Sequence, residues 1–203
     1  MKETNFISAV IYVSHGAVKA SEFIAEIDAV LSVGFRDYEI ICINDDADTE
    51  IIKALHNVRL AHNCGNFAII NMGGYYGLER SMVAGVDFAI GDYVFEFDSV
   101  DRDYPLDIIM TVYTTIFKGY DVVAAQKDRK SAALSSRFFY YLFNKSSEFE
   151  EKLRSESFCI KSRRAINQAG DYGNIILYRK AADSASGLKR GYVSYEAIKP
   201  VCR

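Results

Sequence analysis

The chain of 203 residues lacks tryptophan and contains only two prolines and four cysteines. The cysteines show no CxxC or Cys/His spacing, which argues against a zinc site or a disulfide scaffold and favours a reduced, intracellular protein. No run approaches the roughly 18–20 uninterrupted apolar residues of a membrane-spanning helix. Half of the residues are apolar and a quarter are charged, a balance that excludes a disordered chain.

An excess of positive charge is also missing, since the formal net charge is −3. Without surplus Lys and Arg, nucleic acid is not an expected partner. The N-terminus lacks the basic start and the cleavage site of a signal peptide. We therefore expect a cytoplasmic protein that meets a membrane only at its inner face, by peripheral contact or through a membrane-protein partner.

Three common site motifs are absent: GxGxxG after the first strand, GxxxxGK[ST] and GxSxG. Their absence disfavours a Rossmann-type oxidoreductase, a P-loop nucleotidase and an α/β-hydrolase. A sugar nucleotidyltransferase would share an alternating α/β pattern, but the glycine-rich GxGxRL start of that family is absent too.

The apolar pattern alternates between strand and helix. Continuous β-branched runs predict buried strands, and stretches with apolar residues at helical spacing separate them. This order predicts an α/β fold in a single domain over residues 1–203, with a mostly parallel central sheet and helices on both faces. The main predicted strands are 7–13, 38–43, 92–97 and 121–125; shorter strands are predicted at 58–61 and 67–70, and a helix at 75–89.

Polar clusters rich in aspartate follow two of the predicted strands: Asn44, Asp45 and Asp46 after one, and the run 98–103 after the other. Ligands in parallel sheets bind at the carboxyl ends of the strands. A carboxylate there can accept a hydrogen bond from a base or hold a divalent cation against a diphosphate. The alternative is that these residues only cap loops and helices.

Several segments of the chain, taken in order, resemble the conserved elements of one protein family. The segments ISAVIYVSHG…DYEIICINDDAD (7–48) and NMGGYYGLERSMVAGVDFAIGDYVFEFDSVDRDYP (71–105) resemble the VIPVYNE…YEIIVVDDGS and N-x-G…AGLDxAxGDYVxFLDADLQDPP elements of family 2 glycosyltransferases of GT-A fold. GYDVVAAQKDR, RFFYYLFN, SFCIKSRRAI and GYVSYE resemble later segments of polyprenyl-phosphate glycosyltransferases of the dolichol-phosphate-mannose-synthase type. The resemblance covers nearly the whole chain.

This resemblance implies transfer of a sugar from a nucleotide diphosphate sugar, with a UDP-sugar expected, to a polyprenyl phosphate or a growing surface polysaccharide. It also implies a nucleotide-binding half at 1–98 and an acceptor-side half at 99–203. The aromatic stretch 138–143 would then lie near the membrane interface or pack on the sheet. Tyr75 and Tyr76 are expected in the core, with the border of the sugar pocket as the alternative.

The resemblance assigns roles by position. Asp45 falls on the residue that contacts the base, with Asn44 beside it, and Asp98 falls on the carboxylate that holds Mg²⁺ or Mn²⁺ against the donor diphosphate. The remaining implied nucleotide-sugar contacts are Val13, His15, Arg102, Lys127 and Arg129, and the acceptor side is marked by Arg163 and Arg164.

One element departs from the family pattern, because Val100 replaces the second metal-holding Asp and Arg102 replaces a Gln. Either Asp101 or Asp103 completes the cation site, or the Arg102 guanidinium supplies positive charge itself. Asp101, Asp103 and Glu156 are the candidate general bases, although a phosphate acceptor would need none. A second hypothesis follows: a catalytically weakened family member that binds a nucleotide, glycan or protein partner without turnover.

Overall fold

The computed structural model describes residues 2–61, 66–128, 156–173 and 178–198. By its internal contacts the chain divides into two compact units, residues 1–102 and 103–203. The single domain and the division into functional halves at 98/99 stay predictions. Among the described residues, no helix is both long enough and apolar enough to cross a bilayer.

The first unit is built from parallel strands in the order β3-β2-β1-β4, with helices between them. β1 and β2 consist almost entirely of buried residues, as expected for strands covered on both sides. The elements in chain order are β1 (Ile7–Ser14), α1 (Ala20–Gly34), β2 (Tyr38–Asp45), α2 (Thr49–Ala61), β3 (Phe67–Asn71), α3 (Leu78–Phe88) and β4 (Tyr93–Phe97).

Helices α1 and α3 cover opposite faces of this sheet. The ring of Phe23 on α1 contacts Phe97, which pairs with Ile11 of β1 and so shares its face. Gly85 on α3 lies over Val10, on the other face, so closely that a Cβ at residue 85 would lie 2.5 Å from Val10 Cγ1. The predicted helices on both faces are thus observed in the first unit, and α3 begins near the carboxyl end of β2.

The second unit contains three described strands, with β5 between β6 and β7. β5 runs parallel to β7 and antiparallel to β6, so the strand pairs of the protein are mostly parallel, as predicted. Helix α4 packs on these strands. The elements are α4 (Asp107–Ile116), β5 (Val122–Lys127), β6 (Phe158–Ser162), α5 (Arg163–Gly173), α6 (Arg179–Ala185) and β7 (Arg190–Tyr195).

The mixed α/β prediction is confirmed, but one predicted element is wrong. The run 58–61 is not a strand; it is the last turn of α2. Val58 is half-buried and continues the stripe of the buried Ile51 and Leu55 at helical spacing, so the helical pattern extends through this run. The aromatic stretch 138–143 lies outside the described residues.

Candidate functional site

The carboxyl ends of β1, β2 and β4 meet at one edge of the first unit, because these strands are parallel neighbours. Asp45 is the last residue of β2, and Asp98 directly follows β4. β1 lies between the two strands. The acidic strand ends therefore converge on one edge, where parallel sheets bind their ligands.

The Asp45 carboxylate is fully buried and accepts three hydrogen bonds. Oδ2 accepts from the Tyr12 hydroxyl and from the Gly77 N–H, both at 2.8 Å, and Oδ1 accepts from the Tyr76 N–H at 2.7 Å. Burial alone would raise the pKa of Asp45, but these hydrogen bonds favour the charged form and lower its pKa below the ordinary value. Asp45 is therefore an ionised group that holds the segment preceding α3.

Tyr12 completes this arrangement from β1. Burial raises the pKa of its phenol, and the hydrogen bond to Asp45 raises it further. The phenol consequently stays protonated and remains a donor to the carboxylate. Tyr12 and Asp45 lie on the same face of the sheet as α3, because Tyr12 pairs with Ile43 and Ser14 pairs with Asp45.

The turn after β2 is held by Asn44 and contains a left-handed residue. Asn44 Oδ1 accepts a hydrogen bond from the Ala47 N–H at 3.0 Å, and its Nδ2 donates to Asn71 Oδ1 at 2.8 Å. Asp46 has a φ of 60°, in the left-handed region that favours glycine. Counted along the VDDGS element, its glycine falls on Asp46. The backbone thus supports the register that places Asn44 and Asp45 at the two aspartates.

Residues 72–77, here called the 72–77 segment, connect β3 with α3. The Met72 N–H donates to the Asn44 carbonyl at 2.9 Å, so this segment is held at the end of β2 at both of its ends. Tyr75 and Tyr76 are 72 % and 50 % exposed. The expectation that they belong to the core is wrong, because α3 begins only at Leu78 and both tyrosines lie in the loop before it.

The two predicted nucleotide contacts on and after β1 occupy different surroundings. Val13 is fully buried and belongs to the core. His15 is exposed, and its Nδ1 lies 2.7 Å from Asp48 Oδ1. Asp48 Oδ2 also accepts the Gly16 N–H at 3.0 Å. Asp48 therefore fixes the loop between β1 and α1, and His15 stands at its rim.

The segment after β4 places its acidic residues unequally. Asp98 is half-buried, whereas Asp101 is exposed and lies 3.3 Å from Lys19 Nζ. Val100 is buried with the core. The Arg102 guanidinium donates through Nε and Nη2 to both carboxylate oxygens of Glu26, each at 2.8 Å. Glu26 thus neutralises the guanidinium charge of Arg102, which was expected to act at the donor phosphates.

The described residues contain no group of three His, Cys, Asp or Glu side chains that could hold a metal ion. Mg²⁺, however, commonly binds one or two protein carboxylates and takes its other ligands from substrate phosphates and water. Asp98, a half-buried carboxylate at the end of β4, could supply one such ligand. Val100, by its chemistry, offers no ligand atom.

In the second unit, Asp103 and Lys127 form an ion pair, and Asp103 Oδ1 accepts a hydrogen bond from the Tyr195 hydroxyl at 2.8 Å. Burial raises the pKa of Tyr195; the hydrogen bond with Ser157 opposes this rise, and the contact with Asp103 adds to it. Asp103 and Lys127 thus largely neutralise each other. Arg129 lies outside the described residues.

Glu156 belongs to a buried ion network. Arg190 donates through Nη2 to Glu156 Oε1 at 2.6 Å and through Nη1 to Asp183 Oδ2 at 3.2 Å, and Lys161 Nζ lies 3.0 Å from Asp183. Burial would lower the pKa of Arg190, but the Glu156 and Asp183 carboxylates raise it above its ordinary value. Glu156 is therefore paired with the buried guanidinium of Arg190.

Arg163 and Arg164 open helix α5. The Arg164 guanidinium donates to Asp121, and the other Asp121 oxygen accepts the Lys189 N–H at 2.9 Å. Arg164 thus ties the start of α5 to the residue before β5. Both arginines are predicted acceptor-side residues, and that role stays a prediction.

Two residues of the first unit were missed from the sequence. Glu26, the partner of Arg102, is 76 positions away and carries no local signal. Tyr12 could have been found, because strict alternation along β1 places it on the face of Ser14, which is beside Asp45.

Solved structures share this fold at low sequence identity. A mannosyltransferase from Pyrobaculum calidifontis, in complex with GDP-Man and Mn²⁺, is 12 % identical, with a TM-score of 0.72 over 99 % of this chain and 58 % of that chain. TarS from S. aureus, in complex with UDP-GlcNAc, is 13 % identical, with a TM-score of 0.65 over 100 % of this chain and 60 % of that one. These likenesses define the chain as a protein of GT-A fold.

The fold is also shared with another class. A 4-diphosphocytidyl-2C-methyl-D-erythritol synthase from Anaerococcus prevotii is 12 % identical, with a TM-score of 0.64 over 95 % of this chain and 90 % of that chain. The architecture alone therefore does not choose the chemistry.

The family is chosen by the sequence. Residues 18–185 match the model of glycosyl transferase family 2, and the chain belongs to that family. It is 23 % identical over 164 residues to a glycosyltransferase of Synechocystis sp.. That match covers 78 % of this chain and 51 % of the relative, so the chain spans about half the length of the curated relative it matches.

Proposed function

We propose that the chain binds a nucleoside diphosphate sugar, with a UDP-sugar as the first candidate, and transfers the sugar to a polyprenyl phosphate or a growing surface polysaccharide. The observation that carries this proposal is the carboxyl edge of the first unit. There, Asp46 is left-handed at the position where the family's VDDGS element has glycine, and Asp98 stands across β1 from this turn.

Asp98 is the residue proposed to meet the donor diphosphate. A Mg²⁺ or Mn²⁺ ion, when bound, would offset the negative charge that develops on the leaving nucleotide. Asp98 would supply one carboxylate to that ion, and the phosphates and water would supply the rest. Lys127 and Arg129 are proposed as further phosphate contacts, and Arg163 and Arg164 as acceptor contacts.

Asp45 supports the proposal through its position. The Asp45 side chain is fully buried, and the Tyr12 hydroxyl and the N–H groups of Tyr76 and Gly77 donate to it. A direct contact between Asp45 and the base therefore requires the 72–77 segment to move. In this arrangement, Asp45 holds the 72–77 segment in place at the carboxyl edge of the sheet.

The candidate general bases differ in availability. Asp101 is exposed, and its partner among the described residues is the exposed Lys19, so it is the candidate best placed to accept a proton from a hydroxyl acceptor. Asp103 and Glu156 are held by Lys127 and Arg190. A phosphate acceptor is already ionised, so it fits this distribution without any base.

Titration calorimetry with UDP and GDP, with Mn²⁺ and in EDTA, tests the donor claim. We expect binding by the wild type that weakens in EDTA and falls at least tenfold in Asp98→Asn. The matched control is Asp87→Asn, an exposed carboxylate near the far end of α3, which should bind as the wild type. No heat from folded wild type at millimolar nucleotide would refute the proposal.

A second candidate function is a binding protein of the same fold without turnover. It is favoured by the burial of Val100 and by the ion pairs that engage Asp103 and Glu156. A donor-hydrolysis assay separates the two functions. Nucleotide binding together with equal background rates for wild type and Asp98→Asn would select the binding protein.

A further inference from the structure

Two aromatic side chains stand exposed beside the buried Asp45. Tyr75 is 72 % exposed and Tyr76 is 50 % exposed, and both belong to the 72–77 segment. They are here called the tyrosine pair. Tyrosine rings present large apolar faces, and burying them against a ligand gains free energy. A pair of such rings at the carboxyl edge therefore has the chemistry of a contact surface for a flat ligand.

The backbone under the tyrosine pair is fixed. The N–H groups of Tyr76 and Gly77 both donate to Asp45, and the Met72 N–H donates to the Asn44 carbonyl. Gly77 has a φ of 82°, a conformation that sets the chain direction between the tyrosines and α3. A segment held in this way loses little conformational freedom when a ligand binds, which favours affinity.

A third tyrosine, Tyr12, contacts the carboxylate that holds the tyrosine pair. The Tyr12 hydroxyl donates to the same carboxylate at 2.8 Å. The Tyr76 hydroxyl reaches back over the turn, because a Cβ at Gly73 would lie 3.8 Å from it. Asp45 thus binds the Tyr12 phenol and the backbone of Tyr76, the residue after Tyr75, at the end of β1 and β2.

We propose that the tyrosine pair is the stacking surface for the base of the bound nucleotide, and that Asp45 is its positioning residue. This inference rests on the proposed function and names the base contact of that site. Base–aromatic stacking accepts any base, because every base has a π face. Removal of one stacking ring is expected to weaken nucleotide binding about 5- to 150-fold.

A nucleotide fits this surface better than a protein partner. The two rings form a small patch, whereas a standard protein interface buries about 800 Å² on each partner. The patch also lies at the carboxyl edge of parallel strands, which is where such sheets place their ligands.

The absence of tryptophan makes a direct test available, because a single introduced tryptophan reports only its own surroundings. Tyr75→Trp and Tyr76→Trp are each titrated with UDP and with GDP, and stacking is expected to quench the fluorescence. Phe88→Trp is the control: it is 54 % exposed at the other end of α3 and should not respond. Tyr75→Ala and Tyr76→Ala measure the loss of affinity by calorimetry, and Tyr75→Phe and Tyr76→Phe should retain it.

The outcomes separate the two proposals. If wild type binds UDP and the alanine variants bind it equally well, the stacking surface is refuted and the proposed function stands. If folded wild type binds neither nucleotide, the donor claim fails and the stacking surface fails with it. If the alanine variants change the oligomeric state but not nucleotide affinity, the tyrosine pair is a protein interface and the inference is overturned.

Discussion

Replacing Asp45 with Asn is the sharpest test of how the carboxyl edge is held together. An amide has one acceptor oxygen and one N–H₂ group, so it cannot accept hydrogen bonds on both sides as the carboxylate does. If the amide oxygen faces Tyr12 and Gly77, its N–H₂ group meets the Tyr76 N–H. At least one buried donor is left unpaired, and the remaining bonds lose their charge assistance.

The expected cost of Asp45→Asn is about 2–4 kcal/mol, since a hydrogen bond to a charged group contributes about 1.5–3 kcal/mol. For a chain of this length that corresponds to a fall of roughly 4–16 °C in Tm. Asp46→Asn is the matched control, because Asp46 is exposed and Asn also tolerates the left-handed conformation. It should stay within about 0.5 kcal/mol of wild type.

The pH dependence gives an independent check. The folded-state pKa of Asp45 is lowered, so its stabilisation is present above the unfolded pKa of about 4 and is lost as the pH falls through the folded pKa. The stability difference between wild type and Asp45→Asn should be constant from pH 5 to 8 and shrink below about pH 4. Urea unfolding across this range measures it. A difference no larger than that of Asp46→Asn at pH 7 would refute the role given to Asp45.

Two further variants test the packing of each unit. Gly85→Ala should lower the free energy of unfolding by about 1–3 kcal/mol, because its Cβ would lie 2.5 Å from a Val side chain of β1. The control is Gly170→Ala, which has nothing within 4 Å of its Cβ and should be neutral or stabilising. Equal Tm values for the two variants would contradict the close contact at Gly85. Arg190→Met should cost about 3–5 kcal/mol by leaving Glu156 without its guanidinium partner in the interior. The control is Arg36→Met at an exposed ion pair, and a comparably small change in both variants by thermal unfolding would contradict the buried network.

The sequence predicts much of this fold because local patterns encode it. The apolar runs of β1 and β2 and the helical spacing in α1 and α3 identify these elements within a few residues. Strand ends follow from the same patterns, so the edge with Asp45 and Asp98 was predictable. The strand at 58–61 was wrong because four apolar-leaning residues fit either period, and only the continuing stripe of α2 decides.

The contacts that define the site depend on long-range pairing, which no local pattern carries. Asp45 meets Tyr76 and Gly77 across 31 and 32 residues. Arg102 meets Glu26 across 76 residues. The burial of Asp45 and the exposure of the tyrosine pair depend on these contacts. The expectation that both tyrosines lie in the core was wrong because the sequence does not show such contacts.

The left-handed turn at Asp46 combines backbone strain and a negative charge at one position. A glycine there would remove a backbone penalty of the order of 1 kcal/mol, and it would also delete a negative charge from the lip of the edge. Improving the thermostability of this protein by the most obvious backbone substitution would therefore alter the electrostatic field that an approaching anion meets.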